Sequence, residues 1–205
     1  MQIAIVGNIG AGKTTLTELL AKHLGYEPQY EAVEDNPYLE DFYNDMKRWS
    51  FNLQIYFLNS RFRHSISLQH KDKNIIQDRT IYEDAYIFAD NLHDMGLMTS
   101  RDFENYSSIF ESVISYIKPP DLLIYLRASV PTLVNNIQLR GREYEIGIRI
   151  DYLSKLNEKY EKWINNYKEG KLLIIEKDNL DFAHKPEDLG YILQLIDREL
   201  NGLFK

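Results

Sequence analysis

The sequence predicts an α/β fold, with about five parallel strands in one sheet and helices on both faces. Three observations carry this. Short apolar runs recur at residues 3–6, 30–33, 74–77, 122–126 and 172–175. Long amphipathic stretches separate them, and strands alternating with helices imply a parallel sheet covered on both sides. The first run also leads into Gly7-Asn8-Ile9-Gly10-Ala11-Gly12-Lys13-Thr14, a G-x-x-x-x-G-K-[ST] string. Leu16, Leu19, Leu20 and Leu24 then follow at helical spacing. Strand, glycine loop and helix form the context of a phosphate-binding loop.

That loop gives the first candidate site. The glycines let backbone N–H groups turn toward phosphate oxygens, and the helix N-terminus adds its dipole. Gly7 to Thr14, with Thr15 behind, are the candidate nucleotide-phosphate contacts. Lys13 is expected to neutralise the β- and γ-phosphates, and Thr14 to offer its hydroxyl to Mg²⁺.

The elements follow in order. After the first strand and helix, the run at 30–33 is expected as strand two. Helical spacing predicts helices at 37–44 and 48–69. Strand three at 74–77 precedes a helix at 82–92. The stretch 99–117 opens on a Thr-Ser-Arg-Asp entry signal and stops at Pro119-Pro120. Strand four leads to a helix at 130–139 and another at 151–167. Strand five and a last helix at 186–200 close the chain. There is no repeat, linker or composition break, so residues 1–205 read as one domain.

Composition narrows the partners. The chain has 205 residues, 44% hydrophobic and 27% charged, as in an ordinary globular protein. A net charge of −7 argues against a nucleic-acid polymer or an acidic membrane surface as partner. There is no cysteine, hence no disulfide or zinc-thiolate site. No leader or membrane-length apolar run is visible, so a cytoplasmic protein is expected. The 15 tyrosines could line a base or sugar pocket, or simply fill core and surface.

Ligands in such sheets sit beyond the strand C-terminal ends. Strand two ends at Glu31, a carboxylate that could accept a proton from an attacking hydroxyl; the alternative is an exposed acid in an acidic segment. Strand three runs into Asp78-Arg79-Thr80. There the acid fits a magnesium organiser and the arginine a phosphate clamp, or else Asp78 or Thr80 is a helix N-cap. Strand four reaches Arg127 and Ala128, with no chemistry apparent. Arg140-Gly141-Arg142, between two helical stretches, suits a flap over a transferring phosphoryl group, or is a basic turn.

Together these pieces resemble the deoxynucleoside kinase family, in its bacterial deoxyadenosine/deoxyguanosine branch, over nearly the whole chain. The family's Glu-Pro-Val motif corresponds to Glu31-Ala32-Val33, and its Glu-Arg-Ser motif to Asp78-Arg79-Thr80. The resemblance implies a P-loop kinase fold with a short arginine-bearing lid. It implies ATP and Mg²⁺ as cofactors, small nucleosides and nucleotides as partners, and a homodimer. It makes Glu31 the general base, and Arg79, Lys13, Arg140 and Arg142 its catalytic companions. Tyr43 and Glu145 would grip the sugar 3′-hydroxyl and Gln54 would pair with the base. Arg61, on the same helix face as Gln54, would pair with Asp84. Asp178 and Phe182 would belong to the loop beside the adenine of ATP. Asn136 stands where many members carry a third basic lid residue. The implied reaction is phosphorylation of a deoxynucleoside 5′-hydroxyl, deoxyadenosine foremost, in deoxynucleotide salvage.

Two rivals share the loop. A nucleoside monophosphate kinase needs acceptor-site arginines where this chain offers Glu31 and Tyr43. A non-catalytic scaffold would be expected to lose Lys13, Glu31 or the lid arginines, and all are present.

Overall fold

The computed structural model describes residues 1–30, 36–69, 73–145 and 147–202. Among them, strands β1 (Gln2–Val6), β2 (Glu27–Gln29), β3 (Ile75–Asp78), β4 (Leu122–Arg127) and β5 (Lys171–Glu176) form one sheet in the order β2-β3-β1-β4-β5. Every pairing is parallel. The chain builds β2 and β3 on one side of β1, then crosses to build β4 and β5 on the other. The direction of winding therefore reverses at β1, and the crevice for a ligand opens at its C-terminal end. The glycine loop leaves β1 at that point.

Alternation along β1 feeds two cores. Ile3 and Ile5 join Leu122, Ile124 and Leu126 on one face, under α1 (Lys13–Leu24) and α9 (Pro186–Asn201). Ala4 and Val6 point the other way, with Leu123 and Tyr125. That second face is covered by α3 (Met46–Gln69), α6 (Ser100–Ile114) and α8 (Ile150–Asn165). A strand buried on both faces needs the continuous apolar run seen in the sequence.

Strand two begins earlier than the 30–33 run expected for it, of which residues 31–33 lie outside the described residues. It lies at Glu27–Gln29, before the 30–33 run, and pairs Glu27 with Ile75 and Gln29 with Gln77. It is an edge strand, which is why Pro28 is tolerated within it. Tyr30 follows it and is half exposed at the mouth of the cavity described below.

The helix boundaries follow their caps. α1 ends on Gly25 in the left-handed conformation (φ 69°), whose N–H bonds to the Ala21 carbonyl. α2 (Leu39–Asn44) has six residues, and α3 runs for 24, beginning at Met46, two residues before the expected start. The helix expected at 82–92 starts at Ile81 with α4 (Ile81–Glu83) and opens into a π-helical segment, Asp84–Ala89, before α5 (Asp90–Asp94). Asp84 and Phe88 of this segment line the cavity described below, and such bulges are frequent at functional sites. α6 is capped by Thr99 and ends at Ile114, short of Pro119. α7 (Val130–Arg140) is capped by Ser129 and stops at Gly141 (φ 65°).

Candidate active site

A cavity of about 500 Å³ opens beyond β1 and β3. Ile9, Gly10, Lys13 and Thr14 of the glycine loop form its floor. Tyr43 of α2 and Gln54 and Phe57 of α3 form one wall. Asp78, Arg79, Asp84 and Phe88 form a second wall. Arg140, Arg142, Tyr144 and Glu145 close the third side. Segments far apart in sequence therefore meet in one place.

The floor is braced from below. The Asn8 side-chain amide donates to the Leu153 carbonyl (3.0 Å) and to Asn157 Oδ1 (2.6 Å), while its own oxygen accepts the Ile9 N–H (2.8 Å). Asn157 in turn donates to the Ala128 carbonyl (2.8 Å). Lys13 is buried and its ammonium donates to the Asn8 carbonyl (2.9 Å). Gly10 has φ 84°, and a Cβ there would stand 2.7 Å from the Leu133 carbonyl of α7. No larger residue fits so close to that backbone. Asn136 of α7 donates to the Gly10 carbonyl (2.8 Å). That bond ties α7 to the loop. Thr15 is exposed on α1.

Arg79 is held in an unusual way. It adopts φ 69°, a left-handed conformation that costs an ordinary residue roughly 1–2 kcal/mol. It is nevertheless buried, and its guanidinium donates to Tyr160 Oη (3.0 Å) and Glu83 Oε1 (3.3 Å). Its carbon lies 4.8 Å from the Phe88 ring centroid. Glu83 is fully buried, accepts the Thr80 N–H (2.8 Å) and completes a capping box with Thr80. Tyr160 lies 2.7 Å from Glu83 and 2.8 Å from the Gly7 carbonyl, with one proton for the two acceptors. Burial and the Glu83 charge push the Tyr160 phenol well above its ordinary pKa, so it stays protonated and can donate. Sequence reasoning missed Glu83 and Tyr160. The Thr80-x-x-Glu83 spacing was a legible capping-box signal; Tyr160, 153 positions from Gly7, gives none.

Asp78 accepts the Thr14 hydroxyl (2.5 Å) through one oxygen. Its other oxygen is buried with no partner among the described residues. An orphaned carboxylate oxygen beside a hydroxyl is a hard-oxygen donor set that fits Mg²⁺, which keeps several waters and takes one or two protein ligands. No cluster of three or more ligating side chains occurs among the described residues.

Gln54 is buried on the α3 wall, with its Oε1 unpartnered among the described residues. Asp84 lines the cavity beyond it. Behind Asp84 stands Arg61, whose Nε donates to Asp84 at 2.5 Å; both side chains are buried. Tyr43 is half buried. Glu145 is buried and accepts two hydrogen bonds from Arg140 Nη2, at 2.6 and 2.7 Å. Arg142 lies 3.7 Å from the same carboxylate. Asp178 accepts the Ser129 N–H (2.9 Å) and Phe182 packs beneath Gly12, both behind the loop and off the cavity wall. Arg127, read from sequence as chemically silent, bridges Glu161 and Glu176. Glu31 lies outside the described residues.

The deoxynucleoside kinase family model matches residues 3–201. The chain belongs to the deoxynucleoside kinase family. A deoxyadenosine/deoxycytidine kinase of Bacillus subtilis (strain 168) is 39% identical over 95% of this chain and 90% of its own length. A deoxyguanosine kinase of Lactobacillus johnsonii is 39% identical over 99% of this chain and 94% of its own. The solved deoxyadenosine kinase of M. mycoides with bound dATP superposes with a TM-score of 0.86, at 34% identity, over 96% of this chain and 99% of that one. The five-stranded parallel sheet, its helical cover and the glycine loop are thus those of a deoxynucleoside kinase. No helix among the kinase's described residues is long and apolar enough to cross a membrane.

Proposed function

We propose that this kinase transfers the γ-phosphoryl group of ATP to the 5′-hydroxyl of a deoxynucleoside, with deoxyadenosine the preferred acceptor. The observation that carries the base assignment is Gln54. A buried amide with an unpartnered oxygen, facing a cavity, needs a ligand to complete its hydrogen bonds. One amide offers an acceptor and a donor, which match the N6-amino group and N1 of adenine. The Asp84–Arg61 pair adds charge deeper in the wall and gives a thymine methyl no apolar partner. The M. mycoides relative has been solved with dATP and with dCTP, which agrees with an amino-bearing base at this position.

The remaining roles are those the family resemblance implies, supported where the residues are described by their position around the cavity. Lys13 and the loop N–H groups bind the donor phosphates. Thr14 and Asp78 would hold Mg²⁺, which when bound neutralises charge between the phosphates. Glu31 accepts the 5′-hydroxyl proton. Arg79 is fixed by Glu83 and Tyr160 at the acceptor side. Arg140 and Arg142 stabilise charge on the transferring group. Tyr43 and Glu145 hold the 3′-hydroxyl, while Asp178 and Phe182 shape the donor side of the loop. A monophosphate kinase fits less well. An acceptor phosphate would meet Glu145, Asp78 and Asp84 on the cavity walls.

Two measurements test this reading. With ATP and Mg²⁺, deoxyadenosine should give the highest kcat/KM of the four deoxynucleosides and thymidine the lowest; thymidine as best substrate would overturn the Gln54 assignment. The kinase should also sediment as a homodimer, since Tyr86, Ile109 and Tyr116 present exposed apolar surface near α6 that an interface would cover. A monomer at micromolar concentration would refute the assembly.

A further inference from the structure

We propose that Tyr144 is a positioning residue that couples the arginine-bearing turn to the sugar end of the acceptor pocket by stacking on Tyr43. This rests on the deoxynucleoside reading of the cavity. The two rings are 5.9 Å apart between centroids and inclined by 21°. On Tyr43 the stack continues to Phe42, edge-on at 5.2 Å and itself buried in the core. On Tyr144 it continues to Arg142, whose guanidinium carbon lies 6.0 Å from the ring. The turn that carries Tyr144, Glu143–Glu145, follows Arg142 and ends on buried Glu145.

The consequence is mechanical. Tyr43 sits on α2, anchored through Phe42, whereas Glu145 sits on the turn and Arg142 immediately before it. The aromatic stack bridges the two. A deoxynucleoside that fixes the Tyr43 ring therefore also fixes Tyr144, and with it the Glu145 carboxylate that shares the sugar. Binding and placement of the turn then draw on one free energy. The donor phosphates rest on the loop floor and meet this stack only through Arg142, which acts on the group in transfer and not on the binding of ATP.

The test is a split between substrates. Tyr144→Ala should raise KM for deoxyadenosine by about 2- to 13-fold, the range of one aromatic pair, and leave KM for ATP unchanged. Tyr144→Phe should keep a deoxyadenosine KM near wild type, because the ring makes the stack on Tyr43 and the hydroxyl serves only Arg142. Tyr144→Leu, which keeps bulk without a π-face, should resemble alanine and guards against simple loosening of the turn. Calorimetric titration of deoxyadenosine without ATP should show the same loss of affinity. An unchanged deoxyadenosine KM in Tyr144→Ala, equal shifts for both substrates, or a Phe variant as impaired as Ala would each overturn the proposal. If wild type binds deoxyadenosine without phosphorylating it, the catalytic reading fails and the titration still decides the coupling. If it binds no deoxynucleoside, both fall.

Discussion

Replacing Glu31 with glutamine is expected to lower kcat by about 10²–10⁴-fold, the usual contribution of a general base, while deoxyadenosine still binds. Glutamine keeps the shape and the hydrogen-bonding reach of glutamate but cannot take the 5′-hydroxyl proton. The surroundings support the expectation. Tyr30, the preceding residue, lines the cavity, where burial and the Glu18 and Asp78 charges raise its phenol pKa. The last described residue before Glu31 is thus on the cavity. Steady-state rates, with calorimetric titration of deoxyadenosine, separate chemistry from binding. A glutamine variant with near-normal kcat would return Glu31 to the protein surface and require another proton acceptor on the cavity wall.

Glu83→Ala is expected to destabilise the protein by about 3–5 kcal/mol, the usual cost of removing one member of a buried ion pair. For a chain of this size that is a fall in Tm of roughly 6–20 °C. The glutamate is fully buried and serves the Thr80 N–H, the Tyr160 hydroxyl and the Arg79 guanidinium together. Its loss also removes part of what holds Arg79 in a left-handed backbone at the cavity. Activity should therefore fall further than folded fraction alone explains. Differential scanning calorimetry and a rate assay well below the lowered Tm separate the two effects. Melting within about 2 °C of wild type with full activity would show that the network does not carry Arg79.

Much of this site was legible because its chemistry is local in sequence. The glycine string, its strand and its helix occupy one contiguous stretch, and Asp78-Arg79 ends a strand that reads as buried from composition alone. The Arg61–Asp84 pair came from resemblance, and the structure joins those residues at hydrogen-bond distance. What was illegible depends on the third dimension. β2 is three residues long and takes its place from pairing with β3, which no local signal announces, and residues 31–33 of the apolar run lie outside the described residues. Tyr160 lies on a helix stripe that reads as core, and its hydroxyl matters only because α8 passes beneath Gly7. The π-helical turn after Asp84 leaves no periodicity distinct from an α-helix over so few residues.

The contact at Gly10 divides the labour of the two lid arginines. Leu133 and Asn136 press α7 onto the phosphate loop, so that helix cannot swing without tearing the floor of the site. Arg140 belongs to its last turn and is thus a fixed fitting of the frame. Freedom begins at Gly141, whose left-handed backbone ends the helix, and Arg142 lies just past it. One guanidinium is bolted to the bench and the other rides on a short arm that begins a residue later. The stroke of that arm is limited by its own length of chain, at most about 3.5 Å per residue. On the proposed reading, closing Arg142 over the phosphates would take a few backbone torsions, not a travelling domain.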